Sequence, residues 1–290
     1  MHQIVSDPAR MRSLVAEARA AGRRVGFVPT MGALHAGHAS LAARAARECD
    51  DVAVSIFVNP TQFGPQEDFA RYPRSLTADV ELLAPHGVRW IYAPEVDAVY
   101  PPGDATRISV GGPAVRFEGA LRPGHFDGVA TVVCRLLLAV PAEAAYFGAK
   151  DWQQTLVVKR MTTDLGLPVR IVVCPTVREP DGLAMSSRNA YLSAVERLRA
   201  VALVESLRAA ERLWTAGGTV TAIERAMREV MQTRDVAVDY AALADPDSLE
   251  PLADDAVRAV ALVAGRLGTT RLIDNALLPS RGAAAAAGNA

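Results

Sequence analysis

The sequence predicts an α/β fold: a doubly wound parallel sheet followed by a smaller C-terminal α+β domain. Three observations carry this. Short apolar runs alternate with helical segments up to residue 173. Most of these runs lack polar alternation, as expected where helices cover both faces of a sheet. Beyond residue 178 the order changes to two helices followed by three strands.

Taken in order, Asp7-Pro8 opens the first helix, with Asp at the N-cap and Pro in the first turn, and Gly22 ends it. Residues 24–28 read as a buried strand, broken by Pro29-Thr30-Met31-Gly32. Residues 39–48, rich in Ala, Leu and Arg, read as a helix. A second strand covers 52–58 and ends at Asn59-Pro60. A helix over 77–86 and a third strand over 88–92 follow. Then come a helix over 126–140, a strand over 144–147, a helix over 152–164 and a fifth strand over 168–173. Further on, helices at 195–216 and 220–234 flank Gly217-Gly218, and strands fall at 236–240, 256–263 and 270–273. The predicted domains are 1–178 and 179–282, with a low-complexity tail over 283–290 expected to be disordered. Doubly wound sheets bind ligands at the carboxyl ends of their strands. That places residues 29–38, 59–64 and 148–151 at one rim.

The chain has 290 residues, 50% hydrophobic and 22% charged, which excludes a largely disordered protein. Its net charge of -1 gives no general drive toward nucleic acid but permits a local basic pocket for a small anion. No apolar run reaches the roughly 18 residues of a membrane span, and the N-terminus does not read as a signal peptide. Cys49, Cys134 and Cys174 lie far apart, without metal-ligand spacing, and read as reduced thiols of a cytoplasmic protein.

Four segments carry candidate chemistry. The first is Met31, Gly32, Ala33, Leu34, His35, Ala36, Gly37 and His38, between the first strand and the next helix. A helix N-terminus offers unpaired N–H groups to an anion, and glycines allow close backbone approach. His35 and His38, three residues apart, can both donate to phosphate oxygens. The second is Met185-Ser186-Ser187-Arg188-Asn189, whose hydroxyls and guanidinium could clamp phosphates. In the third, Gly148-Ala149-Lys150-Asp151, the lysine follows a strand end, and Gln154 lies one turn into the next helix, suited to a hydroxyl-rich substrate. In the fourth, Asn59 and Gln62 place amides at a strand end. No GxxxxGK[ST] is present, which disfavours P-loop chemistry.

An early HxGH and a late serine-and-base loop together resemble the HIGH and KMSKS pair of nucleotidyltransferases and class I aminoacyl-tRNA synthetases. Five segments go further. Residues 29–38, Asn59-Pro60-Thr61-Gln62-Phe63, Arg122-Pro123-Gly124-His125-Phe126, Phe147-Gly148-Ala149-Lys150-Asp151 with Gln153-Gln154, and Met185-Ser186-Ser187-Arg188-Asn189 resemble the pantothenate synthetase (pantoate–β-alanine ligase) family in order and spacing, over residues 1 to about 280. The resemblance implies a Rossmann-like fold of the HIGH nucleotidyltransferase type. It also implies ATP-dependent condensation of (R)-pantoate with β-alanine through a pantoyl adenylate, with AMP and pyrophosphate released, Mg2+ and a homodimer. It places Met31 to His38, Gly148 to Asp151, Val177 and Met185 to Arg188 at ATP. It makes His38, His35, Lys150, Ser186, Ser187 and Arg188 the catalytic set, and Gln62, Gln154 and Asn59 the substrate contacts. The chain departs from a common family form at Ala149, where Glu is frequent, and at Ala36; both are expected to contribute backbone. The metal is expected to ride mainly on the ATP phosphates.

Two alternatives stay open at this stage. One is another HxGH nucleotidyltransferase acting on a phosphorylated cofactor precursor, which would want further Arg or Lys. The other is a non-catalytic nucleotide-binding module, for which losses among His35, His38, Lys150 and the Ser-Ser-Arg loop are expected; none is lost. Length and the lack of a basic RNA-binding domain disfavour a tRNA synthetase. His2 and His86 read as structural or exposed, and the role of His125 is left open.

Overall fold

The computed structural model describes residues 2–65 and 67–281. The predicted tail at 283–290 lies outside the described residues. Contacts divide the chain into two compact units. One holds the chain up to Ala149 together with Gln153–Val177; the other holds Lys150–Trp152 and the chain from Arg178 onward.

The first unit is built on six parallel strands: β1 (Gln3–Val5), β2 (Val25–Thr30), β3 (Asp51–Ile56), β4 (Trp90–Tyr92), β5 (Ala144–Gly148) and β6 (Arg170–Cys174), in the order β1-β4-β3-β2-β5-β6. The chain first builds outward from β2 through β3 to β4, then reverses to add β5 and β6 on the other side. The reversal lies between β2 and β5, and a crevice at the strand ends there is the usual ligand site of such sheets. Both faces are covered. Val25 and Phe27 of β2 pack with Trp90, Tyr92 and Val133 on one side. Val28 packs with Leu41, Leu83, Ile91 and Tyr146 on the other. This explains the unbroken apolar runs: successive residues alternate between two cores, not between core and water. The helix at Pro8–Ala20 starts as its sequence dictates, with Asp7 accepting from the Arg10 N–H at 2.6 Å.

Sequence reasoning did not find β1. It has three residues, two of them exposed, and it exists by pairing with β4 at the sheet edge.

The second unit contains the helices Ala194–Ala200, Ala202–Thr215 and Val220–Gln232 and an antiparallel sheet, β7 (Ala237–Ala244), β8 (Val260–Leu267) and β9 (Thr270–Leu277), in that order. The single helix expected over 195–216 is two, because Val201 carries ψ of -20°, a tighter turn than α-helix. Strand β8 begins four residues later than expected. Its register is set by the tight turn that pairs Leu267 with Thr270, where Gly268 takes φ of +56°. Among the described residues no helix is long and apolar enough to cross a membrane. Cys134 and Cys174 are buried free thiols and Cys49 is half-buried and free; burial pushes the Cys134 and Cys174 thiols up.

Candidate active site

Strand β2 ends at Thr30, whose hydroxyl donates to the Ser55 carbonyl of β3 at 2.6 Å and accepts from the Gly32 N–H at 3.2 Å. The chain then turns through two left-handed residues, Gly32 at φ +79° and Ala33 at φ +50°. A Cβ on Gly32 would lie 2.9 Å from Asp79 Oδ2, so only glycine fits there. For Ala33 the left-handed conformation carries strain. Asp79, from the helix Leu76–Leu83, holds it: its carboxylate accepts from the N–H of Leu34 at 2.7 Å and of Ala33 at 3.2 Å. Asp79 is buried. Burial raises its carboxyl above the usual range, against the pull of these two backbone hydrogen bonds.

The helix Ala36–Glu48 begins here, and both histidines are built into its start. The His35 Nδ1 accepts from the Gly37 N–H at 3.1 Å, and the His38 Nδ1 accepts from the His35 N–H at 3.3 Å, which closes a capping box. The rings lie 4.2 Å apart. An imidazole that accepts at Nδ1 carries its proton at Nε2. Both histidines are therefore Nε2–H donors at the first turn of a helix, where the helix dipole already favours an anion. Met31, Leu34 and Gly37 are half-buried beside them and Ala36 is exposed.

The fourth segment touches the first. Gln62 donates from Nε2 to Met31 Sδ at 3.0 Å, and its Oε1 accepts from Asn59 Nδ2 at 3.1 Å. Asn59 is 1% exposed. Its other donor goes to the Gly128 carbonyl, and its Oδ1 accepts from the Tyr100 hydroxyl at 2.8 Å and the Thr61 hydroxyl at 2.9 Å. Both ends of the Asn59 amide are taken by protein groups, so here it orients Gln62: the Gln62 oxygen is engaged and, among the described residues, its N–H donors meet only a weak sulfur acceptor.

The turn carrying Gln62 leans on the helix His125–Ala139. Gly128 makes this possible, since a Cβ there would sit 2.4 Å from the Thr61 carbonyl oxygen. His125, also buried, donates from Nδ1 to the Gln62 carbonyl at 2.9 Å and accepts at Nε2 from Arg122 at 3.0 Å. Arg122 in turn grips Glu67 with two bonds of 2.6 and 2.7 Å. Burial, then the Arg122 charge, push His125 down to about 4, so the ring is neutral near pH 7.

The two glutamines after Trp152 divide the work. Gln153 is buried, donating to the carbonyls of Pro113 and Arg116 and accepting from the Glu118 N–H, which marks it as structural. Gln154 is half-buried in the first unit, as are Gly148, Ala149 and Val177.

Lys150 and Asp151 belong to the second unit, with Nζ of Lys150 at 3.6 Å from Asp151 and its carbonyl accepting from Asn275 Nδ2 at 2.7 Å. Met185, Ser186, Ser187 and Arg188 lie in the same unit, half-buried. Ser186 caps the short helical turn Ser187–Tyr191, accepting from the Arg188 N–H at 3.2 Å. Two networks that bring in residues sequence reasoning did not name, Arg178 with Asp274 and Glu179 with Arg197, support this loop. Arg178 pairs with the buried Asp274 at 2.7 Å and also donates to the Gly182 carbonyl. Asn189 donates to Glu179 at 2.7 Å, and Glu179 accepts from Arg197 at 2.6 Å. Among the described residues no group of three or more His, Cys, Asp and Glu could hold a metal ion.

The sequence profile of the Pantoate-beta-alanine ligase family matches residues 3–277. The chain is 53% identical to the pantothenate synthetase of Roseiflexus sp. (strain RS-1), over 93% of this chain and 99% of that protein. Its fold resembles the crystal structure of pantothenate synthetase from Thermus thermophilus with TM-score 0.90 and 50% identity, over 94% of this chain and 98% of that one. It also resembles the pantoate-beta-alanine ligase of Francisella tularensis, solved in complex with beta-gamma ATP and beta-alanine, with TM-score 0.80 and 34% identity over 96% and 98% of the two chains. A two-histidine turn after the central strand, an Asn-oriented glutamine beside it and this breadth of likeness lead to one assignment: the chain belongs to the pantoate–β-alanine ligase family.

Proposed function

We propose that this chain joins (R)-pantoate to β-alanine at the expense of ATP, with the histidine turn after β2 carrying the adenylation. The ligation is the reaction of its family. A carboxylate is a poor acceptor for an amine, because it is anionic and has no leaving group. The pantoate carboxylate oxygen first attacks the α-phosphorus of ATP, and pyrophosphate leaves. The β-alanine nitrogen then attacks the acyl carbon, AMP leaves, and the nitrogen gives up a proton.

The observation that carries this reading is the pair of Nε2–H donors fixed by the capping box of His35 and His38. Donors already held in place cost no reorganisation when charge grows on the phosphates. Lys150, Ser186, Ser187 and Arg188 supply further charge and hydroxyls toward ATP in this proposal, with Met31 to Leu34, Gly148, Ala149, Asp151, Val177 and Met185 as its lining. Gln62 turns its N–H donors to pantoate, exchanging the sulfur of Met31 for a carboxylate or hydroxyl oxygen. Asn59 acts through Gln62, and Gln154 is the second amide for pantoate. The Francisella relative, solved with an ATP derivative and β-alanine, supports the same ligand set here. Mg2+ would be held mainly by ATP phosphate oxygens and water, since among the described residues no group of three or more His, Cys, Asp and Glu could hold it, and it would supply positive charge against the departing pyrophosphate. The anhydride is water-sensitive, so the reaction calls for a site that excludes water. A homodimer and a cytoplasmic location complete the reading, both on the family resemblance.

Isotope exchange between ATP and pyrophosphate, with Mg2+ and (R)-pantoate but no β-alanine, tests it. Exchange that depends on pantoate is the expected result. The absence of both exchange and pantothenate formation would overturn the substrate assignment.

A further inference from the structure

We propose that His125 is a positioning residue for substrate, acting as a neutral bridge that fixes the turn bearing Gln62. The proposal rests on the reading of Gln62 as a pantoate contact. Three separate ties hold the Pro60–Gln62 turn to the helix His125–Ala139: the bare Cα of Gly128, the Asn59 amide on the Gly128 carbonyl, and the His125 ring on the Gln62 carbonyl. Of the three, the last is the hydrogen bond to the main chain of Gln62 itself.

The ring can serve there in one protonation state alone. Nδ1 faces a carbonyl and must donate; Nε2 faces a guanidinium and must accept. An imidazolium would turn an N–H toward Arg122. Arg122 cannot swing away, because Glu67 holds it through both carboxylate oxygens and Glu118 lies 3.7 Å from its Nη1. The charged groups facing His125 are therefore Arg122, Glu67 and Glu118, while the Phe126 ring packs beside it with centroids 5.0 Å apart. Burial and Arg122 together outweigh the two carboxylates, in agreement with the neutral state. Glu67, Arg122 and His125 thus pass a fixed orientation to the Gln62 main chain, and Asn59 fixes its side chain.

Two substitutions separate the two faces of the ring. His125→Asn places an amide N–H near the position of Nδ1 and keeps the bond to Gln62. His125→Gln reaches the position of Nε2, keeps an acceptor for Arg122 and loses the donor to Gln62. The expected result is a KM for pantoate raised about fivefold to tenfold in His125→Gln, as for a lost neutral hydrogen bond. The KM for ATP is expected to stay within twofold of the parent, and His125→Asn to lie close to the parent throughout. Glu67→Gln, which removes the charge holding Arg122, is expected to raise the KM for pantoate in the same direction, and it tests the bridge even if His125→Gln does not fold. Equal effects on both substrates, or an unchanged KM for pantoate in His125→Gln and Glu67→Gln, would overturn the proposal. Gln62→Ala separates the layers. If it raises the KM for pantoate while the His125 and Glu67 variants do not, the bridge is wrong and the Gln62 reading stands. If it leaves that KM unchanged, both fall.

Discussion

The carboxylate of Asp79 accepts the main-chain N–H of Leu34 at 2.7 Å, which ties a helix on one side of the sheet to the turn that carries the histidines. The same carboxylate accepts from Ala33 and so steadies its left-handed conformation. Asp79→Ala leaves two backbone donors without their acceptor. The expected outcome is a rise of about tenfold or more in the KM for ATP and a loss of about 1–3 kcal/mol in stability. Pyrophosphate exchange at varied ATP, beside urea unfolding, checks both.

His38 is part of a helix cap as well as a donor. His38→Ala is expected to lower the exchange rate about 10²-fold or more and to cost only about 1 kcal/mol of stability, the size of a lost cap. His35→Asn keeps a good capping acceptor and so should unfold like the parent, yet it lacks the ring Nε2–H and should exchange more slowly. Near-normal exchange in His38→Ala would remove it from the mechanism.

Gly128→Ala puts a methyl carbon 2.4 Å from the Thr61 carbonyl oxygen and 2.8 Å from the Gln62 Cα. Backbone has to move. The expected cost is about 2 kcal/mol, together with a raised KM for pantoate and an almost unchanged KM for ATP. Steady-state kinetics at fixed saturating ATP reads the split.

Arg178→Ala strands the carboxylate of Asp274, which is 2% exposed. A loss of about 3 kcal/mol is expected, because a buried charge is left without its partner. Pairing Arg178→Met with Asp274→Leu should recover most of it, which a double-mutant cycle by thermal unfolding would show.

Acid should weaken the fold through His125. Its folded value is pushed down to about 4 from an ordinary 6.5, so the unfolded chain binds the proton first. Its contribution is fully present above about pH 6.5 and is lost as the pH falls toward 4. Between pH 7 and 5 this amounts to about 2 kcal/mol. The stability difference between the parent and His125→Gln should shrink by about that amount over the interval, and an unchanged difference would mean that the ring titrates normally.

The parts legible in the sequence are those fixed by near neighbours. The helix at Pro8–Ala20 is announced by Asp7-Pro8, and the histidine turn by its place between a strand and a helix. The helix at Trp152–Asp164 appears with the bounds expected. What could not be read depends on distant partners. Asp79 looks like any acid in a first helical turn until its bonds to Ala33 and Leu34 are seen. His125 is ambiguous until the Gln62 carbonyl and Arg122 lie on either side of it, and Arg178 is an ordinary arginine until Asp274 meets it. Strand β1 fails for the same reason: its three residues are a strand because β4 is there. The sequence names Gln154 as a substrate contact but not what Gln153 does, because Gln153 bonds Pro113, Arg116 and Glu118, which lie far from it in the chain.

The central strand β2 receives its two neighbours at very different times. Its pairing with β3 joins Val25 to Asp51, but its pairing with β5 joins Gly26 to Ala144. During translation the chain emerges N-terminus first. The β2 edge beside the histidine turn therefore stays bare until residues beyond Ala144 have left the ribosome. A nascent chain stalled before that point presents an unpaired, mostly apolar parallel edge, Val25 to Pro29 with Thr30 at its end, the kind of surface that aggregates or recruits a holdase. The order of synthesis, and not the strength of the finished fold, sets the moment at which this sheet becomes safe.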